Sequence, residues 1–245
     1  MIDIQNVTKS YGPLTVLHDI SLSINEGEIM AIVGPSGAGK TTLLQIAGTL
    51  DRPDSGKVIF DGIDLLSLKD KKLSRFRNSN IGFVFQFHQL LPEFSALENV
   101  ALPSLIGGNK RKKAFADAEQ LLVSLGLGDR LRHKPTQLSG GEKQRTAIAR
   151  ALVNSPRIVF ADEPTGSLDS RNRDEILSII SSLRETTGQT FVIVTHDPHM
   201  AGIADRTVTM ADGKILEDSA EKPEQKIDEE MCADSGDLIL QNEGF

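Results

Sequence analysis

Two glycine-rich segments of this chain carry residues that can hold phosphate groups. In the first, residues 34–42, the glycines allow a tight turn whose backbone N–H groups point at phosphate oxygens, and the following helix start adds positive partial charge. Lys40 supplies a positive charge to the β and γ phosphates, and the Thr41 hydroxyl is a ligand for Mg²⁺. The spacing predicts a nucleotide-phosphate site formed by Gly34, Pro35, Ser36, Gly37, Ala38, Gly39, Lys40, Thr41 and Thr42.

The second segment, residues 138–142, reads Leu-Ser-Gly-Gly-Glu and also precedes a helix. Ser139, with Glu142 three residues later, fits an ordinary helix capping box, which is the structural alternative. Because the first segment already serves this chain's own phosphates, we expect Ser139, Gly140 and Gly141 to contact phosphate held by a second copy. Such an arrangement requires a twofold-symmetric dimer.

Four apolar runs end directly at residues that can do chemistry. Residues 29–33 lead into the phosphate segment, and runs 81–85, 158–161 and 191–195 end at Gln86, Asp162-Glu163 and His196. These non-alternating runs, rich in Val, Ile and Phe, predict strands buried on both faces, and we assign residues 58–60 to the same class. Ligands of parallel α/β sheets bind beyond the carboxyl ends of the strands, so one shared site is expected.

Each strand-end residue has a predicted role. Asp162 can hold Mg²⁺, and Glu163 can orient or deprotonate an attacking water. Gln86 can reach both the metal and that water, while His196 can bond the γ phosphate and support Glu163. The alternatives are a solvated acidic pair, a turn glutamine and a structural histidine, each of which the nearby phosphate segment makes less favoured.

The remaining pattern places these residues in an α/β fold. Helical periodicity covers residues 41–50, 114–125, 142–153 and 173–184, and residues 88–137 have no strong strand pattern. We therefore expect a mostly parallel sheet flanked by helices, with a helical lobe inserted at about residues 88–155. The first 28 residues predict a smaller antiparallel sheet. No run approaches the ~20 apolar residues that span a bilayer.

Charge and cysteine content narrow the class of protein. Of 34 acidic and 27 basic residues, ten acidic and two basic ones lie in residues 217–245, which predicts a near-neutral domain over residues 1–216 and an acidic, disordered tail. This balance gives no support to nucleic-acid binding. The single cysteine, Cys232, excludes an internal disulfide and fits a reducing compartment, and the start of the chain predicts no secretory signal. A basic run, residues 110–113, fits either a solvated loop or contact with anionic lipid.

The order of these motifs resembles the ATP-binding subunits of ABC transporters. The resemblance implies a P-loop NTPase core, ATP and Mg²⁺ as cofactors, and a second copy that completes an ATP-sandwich dimer. It also implies that Tyr11 stacks on adenine, with a surface or core aromatic as the alternative, and that residues 167–169, ending at Asp169, cross the dimer interface. DNA-repair ATPases with similar motifs carry long coiled coils, for which this chain has no room.

Residues 85–103 narrow the resemblance further, to the ATPases of lipoprotein-releasing systems. Residues 161–169 are shared with their macrolide-export and cell-division relatives. The resemblance therefore implies ATP hydrolysis that drives integral membrane permease subunits, with this chain peripheral on the cytoplasmic face of the inner membrane. A cell-division or macrolide-export ATPase acting by mechanotransmission is the alternative. A nucleic-acid or ribosome-directed ATPase is a third and less favoured interpretation.

Overall fold

The structure is a computed structural model that describes residues 1–221. Its strands are β1 (Ile2–Tyr11), β2 (Leu14–Ile24), β3 (Ile29–Val33), β4 (Ser55–Phe60), β5 (Ile63–Asp64), β6 (Ile81–Phe85), β7 (Ile158–Asp162), β8 (Thr190–Val194), β9 (Arg206–Ala211) and β10 (Lys214–Asp218). Its helices are α1 (Lys40–Ala47), α2 (Asp70–Asn80), α3 (Ala96–Ile106), α4 (Arg111–Ser124), α5 (Gly140–Leu152), α6 (Ser170–Thr187) and α7 (Pro198–Gly202).

The larger sheet has the strand order β10-β9-β3-β8-β7-β6. Its strands pair in parallel except β10, which pairs antiparallel with β9 at one edge. Alternate side chains pack on opposite faces: Ile32 and Phe160 belong to the core that includes α1, whereas Val159 and Ile193 face α5 and α6. Because both faces are covered, the near-continuous apolar runs of the sequence are explained, and the predicted mostly parallel sheet is confirmed.

The smaller sheet is antiparallel and has the order β2-β1-β4-β5. It confirms the antiparallel sheet predicted at the start of the chain. The prediction that residues 58–60 form a strand buried on both faces is wrong, because these residues end β4 and pair with β1 in this antiparallel sheet. Val58 and Phe60 lie on the buried face of β4, and Ile59 lies on the other face. Because all three residues are apolar, the sequence shows no alternation that would identify a strand buried on one face.

The helical lobe contains α3, α4 and α5. Ala96, Val100, Ala118, Leu122 and Ala149 form a buried core that joins the three helices. Both α3 and α5 begin at complete capping boxes, formed by one serine and one glutamate in each case. The predicted lobe is therefore present, and it carries the Leu-Ser-Gly-Gly-Glu segment at the start of α5.

Two helices differ in length from their predicted spans because of their caps. The first ends at Ala47, where Gly48 and the left-handed Thr49 (φ 59°) stop it before Leu50. The helix predicted at 173–184 is longer and runs Ser170–Thr187. Asp169 accepts a hydrogen bond from the Asn172 backbone at its start, and left-handed Gly188 ends it.

The predicted boundary at residue 217 falls inside β10. Asp218 is buried and accepts hydrogen bonds from the Arg206 guanidinium, one of 2.7 Å from Nε. This ion pair fixes the last strand to β9, so the folded part extends beyond residue 216. Cys232 and the remainder of the predicted acidic tail lie outside the described residues. Within residues 1–221, no helix has the length and hydropathy to cross a bilayer.

Candidate active site

The strand register brings the predicted site residues to one edge of the larger sheet. Phe85 of β6 pairs with Asp162 of β7, which pairs with Val194 of β8, and Val194 pairs with Ile32 of β3. The next residues along each strand therefore emerge side by side. This register places Gln86, Glu163, His196 and the phosphate segment around one open cleft, as the sequence predicted.

The phosphate segment wraps around the start of α1. Lys40 is buried, and its ammonium donates to the carbonyl oxygens of Gly34 (2.8 Å) and Pro35 (2.9 Å). Gly39 has a left-handed φ of 92°, and a Cβ there would lie 2.9 Å from the Val16 carbonyl oxygen and 2.8 Å from a Leu17 methyl group. A side chain at this position would push the loop from β2, so glycine is required for the conformation.

The Thr41 hydroxyl and the Asp162 carboxylate meet at the edge of this loop. Thr41 Oγ1 donates to Asp162 Oδ1 at 3.1 Å. Burial raises the pKa of Asp162 above its usual value, with the Glu163 charge adding to the rise and the Thr41 hydrogen bond opposing it. A hydroxyl and a carboxylate are oxygen ligands of the kind Mg²⁺ prefers, and Mg²⁺ keeps several waters, so this pair fits the ion.

Glu163 and His196 face each other across the ends of β7 and β8. His196 Nδ1 lies 2.8 Å from Glu163 Oε1, and the His196 backbone N–H approaches Glu163 Oε2 at 3.4 Å. The Glu163 backbone N–H donates to the Val194 carbonyl at 2.8 Å, and its φ is 47°, a left-handed value for a non-glycine residue. Hydrogen bonds to the Glu163 carboxylate and from the Glu163 backbone thus fix the position of this residue.

Gln86 follows β6 and lines the same cleft. Its side-chain amide packs over Gly166, where a Cβ would lie 2.9 Å from Gln86 Nε2. The Gln86 carbonyl oxygen accepts a hydrogen bond from Ser167 Oγ at 3.3 Å. Gln86 is therefore connected to the segment between Glu163 and α6.

The loop after Gln86 is tied to the helical lobe by Arg150 of α5. The Arg150 guanidinium donates to the carbonyl oxygens of His88 (2.8 Å) and Gln89 (2.6 Å), both of which have positive φ values. The sequence reasoning missed Arg150, because a lone arginine in a helical pattern carries no signal of a backbone partner 61 residues away.

The cleft has a volume of about 670 Å³. The predicted residues that line it are Gly34, Ser36, Gly37, Ala38, Gly39, Lys40, Thr41, Thr42, Gln86, Glu163 and His196. Pro35 and Asp162 lie beside it through their contacts with Lys40 and Thr41. Leu14 and Val16 line it as well, and they were not predicted because apolar residues in a strand pattern look like ordinary core.

Residues of the Leu-Ser-Gly-Gly-Glu segment do not line this cleft. Ser139 caps α5 by accepting a hydrogen bond from the Glu142 backbone, while the Glu142 carboxylate accepts from the Ser139 backbone. A Cβ at Gly141 would lie 1.9 Å from Asn172 Oδ1, whose side chain is bonded to Asp169. The capping box weighed as the structural alternative is present, and Gly141 has a packing reason within this chain.

Tyr11 ends β1 with about half of its side chain exposed. Its hydroxyl donates to Asp51 Oδ2 at 2.7 Å, and Lys9 Nζ lies 5.0 Å from its ring centroid. Tyr11 is therefore not a core aromatic. Asp51 was missed by the sequence reasoning, because it stands in a turn cluster where acidic residues are common.

A cradle for phosphates beside an acidic pair, on the carboxyl edge of a parallel sheet, defines a P-loop ATPase. The chain belongs to the ABC transporter family, whose family model matches residues 17–166. It is an ATP-binding subunit of that family, and it hydrolyses ATP.

Among curated proteins, the chain is similar to the lipoprotein-releasing system ATP-binding protein LolD of Bacteroides thetaiotaomicron, at 59% identity over 89% of this chain and 100% of the relative. It is 55% identical to the LolD protein of Porphyromonas gingivalis over 88% of this chain and 99% of that protein. A solved dimeric structure of the ATP-binding cassette MJ0796, bound to ADP and Pi, matches with a TM-score of 0.83 at 41% identity, over 89% of this chain and 97% of that one.

Proposed function

We propose that this chain is the ATPase subunit of a lipoprotein-releasing system. Two copies close around two ATP molecules, and the cycle of closure and reopening drives permease subunits that extract lipoproteins from the inner membrane. The chain would lie on the cytoplasmic face of that membrane. The observation that carries the proposal is the identity of more than half of the aligned residues with LolD proteins over nearly the whole described part.

The segment at residues 85–103 supports contact with a membrane partner. Phe87 is 77% exposed beside Gln86, and Leu91 and Phe94 are each more than a third exposed. Exposed large apolar side chains grouped in one short segment are consistent with a protein interface. Because Arg150 ties this loop to the last turn of α5, a force applied to the loop would reach the helix whose first turn carries the Leu-Ser-Gly-Gly-Glu segment.

The geometry supports a proposed role in hydrolysis for each site residue. Lys40 and the backbone N–H groups of the phosphate segment bind the β and γ phosphates. Thr41, Asp162 and Gln86 would hold Mg²⁺, which shields phosphate charge when bound with ATP. Glu163 accepts the proton of the attacking water, and His196 fixes the orientation of the Glu163 carboxylate. Gln86, which follows the neighbouring strand, helps to position that water.

The second copy would complete each site. Since Ser139, Gly140 and Gly141 do not line the cleft of their own chain, the Ser139 hydroxyl and the backbone N–H groups of Gly140 and Gly141 at the start of α5 are available to phosphate held by another copy. The position of Asp169 at the cap of α6, bonded to Asn172 beside Gly141, supports its role next to the same interface. Tyr11 would stack on adenine at the mouth of the cleft.

The test is recovery of the tagged full chain from detergent-solubilised native membranes, followed by identification of its partners. We expect a permease pair with a large periplasmic domain, and ATP-dependent release of a lipoprotein from vesicles that contain the complex. The same complex with Glu163→Gln should retain its partners and lose release. Recovery with a division-site partner, ribosomes or DNA, or release that is independent of ATP, would overturn the proposal.

A further inference from the structure

We propose that Asp51, supported by Lys9, is a positioning residue for the nucleotide base, because it fixes the ring of Tyr11, whose strand partner Leu14 lines the cleft. The inference rests on the proposed stacking role of Tyr11 and is independent of the cargo. It adds two residues to the site, Asp51 and Lys9, neither of which lines the cleft or belongs to the phosphate segment.

Three side chains form one bonded cluster. The Asp51 carboxylate accepts a hydrogen bond of 2.7 Å from the Tyr11 hydroxyl and one of 3.0 Å from Lys9 Nζ. The Lys9 ammonium also donates to the Arg52 carbonyl oxygen at 2.6 Å and lies 5.0 Å from the centre of the Tyr11 ring. The phenol is thus held at its oxygen by the carboxylate and at its ring by a cation.

Burial and backbone contacts restrict the motion of the Lys9 and Asp51 side chains. Lys9 is only 9% exposed, so its ammonium has little access to water and depends on Asp51 and the Arg52 carbonyl. Asp51 follows α1, and its backbone N–H donates to the Gln45 carbonyl of that helix at 3.3 Å. The carboxylate therefore connects the ring to the helix that begins at the phosphate segment.

Fixing an exposed ring is useful to ligand binding. A free tyrosine at a strand end can adopt several rotamers, and binding must then order it. The hydrogen bond to Asp51 retains one orientation before the base arrives. Because the carboxylate accepts a hydrogen bond from the protonated phenol, it also raises the pKa of Tyr11 above its usual value.

The chain offers a direct probe of this contact. Tyr11 is its one tyrosine, and it has no tryptophan, so tyrosine emission from the full-length protein reports Tyr11 alone. A carboxylate that accepts the phenol proton quenches tyrosine emission. Asp51→Asn should therefore brighten the emission and leave the fold, measured by circular dichroism, unchanged. Asp54→Asn is the matched control, because Asp54 accepts from the Ser10 backbone at 2.7 Å and does not bond Tyr11.

The functional readout is the split between KM and kcat for ATP. A ring that is no longer fixed keeps only part of its stacking energy with the base. Asp51→Asn should therefore raise the KM for ATP roughly three- to tenfold with little change in kcat. Inhibition by inorganic tripolyphosphate, which has no base, should be the same in Asp51→Asn and the wild type. Tyr11→Phe should raise KM by a similar factor, and adding Asp51→Asn to it should have no further effect.

Different outcomes separate the two layers of the inference. If ATP leaves the emission of wild-type Tyr11 unchanged, Tyr11 does not contact the base, and the proposal falls with it. If ATP changes the emission but Asp51→Asn behaves as the wild type in emission and KM, the positioning role of Asp51 is overturned alone. Weaker tripolyphosphate inhibition in Asp51→Asn would mean that the phosphate segment is disturbed, which also contradicts the proposal.

Discussion

Glu163 Oε1 lies 2.8 Å from His196 Nδ1, across the ends of two hydrogen-bonded strands. The contact joins the acidic residue that would activate water to a histidine that is largely exposed, with 70% of its side chain accessible. The carboxylate itself is mostly covered, at 16% accessible. The histidine can therefore contact both a phosphate and the carboxylate, whereas the carboxylate has a fixed position.

Glu163→Gln removes the proposed proton acceptor while keeping the size of the side chain. We expect turnover to fall by about 10²–10⁴-fold, because that is the contribution of a positioned base, while ATP binding remains. Steady-state ATPase assays and binding of a fluorescent ATP analogue measure the two effects. Glu119→Gln, on the exposed face of α4, is the control and should behave as the wild type. Near-normal turnover in Glu163→Gln would remove the base role from this residue.

His196→Ala leaves the Glu163 carboxylate without its partner. Because misorientation of a catalytic group by about 1 Å can cost 10²-fold, we expect a decrease in kcat of roughly ten- to a hundredfold. Combined with Glu163→Gln, the histidine change should add little, since residues that act as a unit are not additive. Fully multiplicative losses in the double variant would show that His196 acts separately from Glu163.

A mixed dimer tests whether the second copy completes the site. Gly140 has ordinary space for a Cβ, 3.5 Å from a Leu168 methyl group, so Gly140→Asp should fold and place negative charge where phosphate is expected. Lys40→Ala disables the phosphate segment. With the two changes on opposite chains one complete site remains, and with both on one chain none does.

We therefore expect higher ATPase activity in the dimer that carries Lys40→Ala and Gly140→Asp on opposite chains. Gly140→Ala is the matched control for the added side chain and should leave most activity in place. The reverse order of activities, with the doubly altered chain paired with wild type being more active, would mean that each site is completed within one chain.

The Arg206–Asp218 pair predicts a pH-dependent contribution to stability. The guanidinium hydrogen bonds hold the pKa of Asp218 below its usual value of 3.8, so the unfolded chain binds the proton more tightly than the folded one. The stabilisation is therefore complete above that value and is lost as pH falls through the lower, folded pKa. Asp218→Asn should destabilise the protein by about 1–3 kcal/mol near neutral pH.

Denaturant unfolding of Asp218→Asn and the wild type across pH measures this contribution. The difference in unfolding free energy should be constant at neutral pH and should shrink below the usual pKa of aspartate. Asp129→Asn, at an exposed turn, is the control and should show no such change. A difference that grows on acidification would contradict the assigned sign.

The sequence predicted the strands well where their residues carry a signal of their own. The apolar runs before Gln86, Glu163 and His196 identified three strands correctly, because burial on both faces leaves a continuous apolar pattern. The same criterion failed for residues 58–60, because three consecutive apolar residues do not distinguish a strand buried on one face from a strand buried on both. Sheet membership is decided by pairing with β1, which is remote in sequence.

Contacts between remote polar residues could not be predicted. Asp51, Arg150 and Asp218 each act through partners at least 12 residues away, and none stands in a motif. The high number of acidic residues after residue 216 also led to the end of the last strand being assigned to the tail. Asp218 belongs to the folded part because it pairs with Arg206, and the sequence alone does not show this contact. Charge composition reports solvated residues well and buried ion pairs poorly.

The left-handed backbone of Glu163 implies a conflict between the stability of the folded protein and its proposed activity. A non-glycine residue in this region costs on the order of 1 kcal/mol, and the surrounding strands must supply it. Glycine would relieve that cost and abolish the carboxylate. Stability alone would therefore favour glycine at this position, so a glutamate that acts as the proposed base keeps activity at a cost in stability.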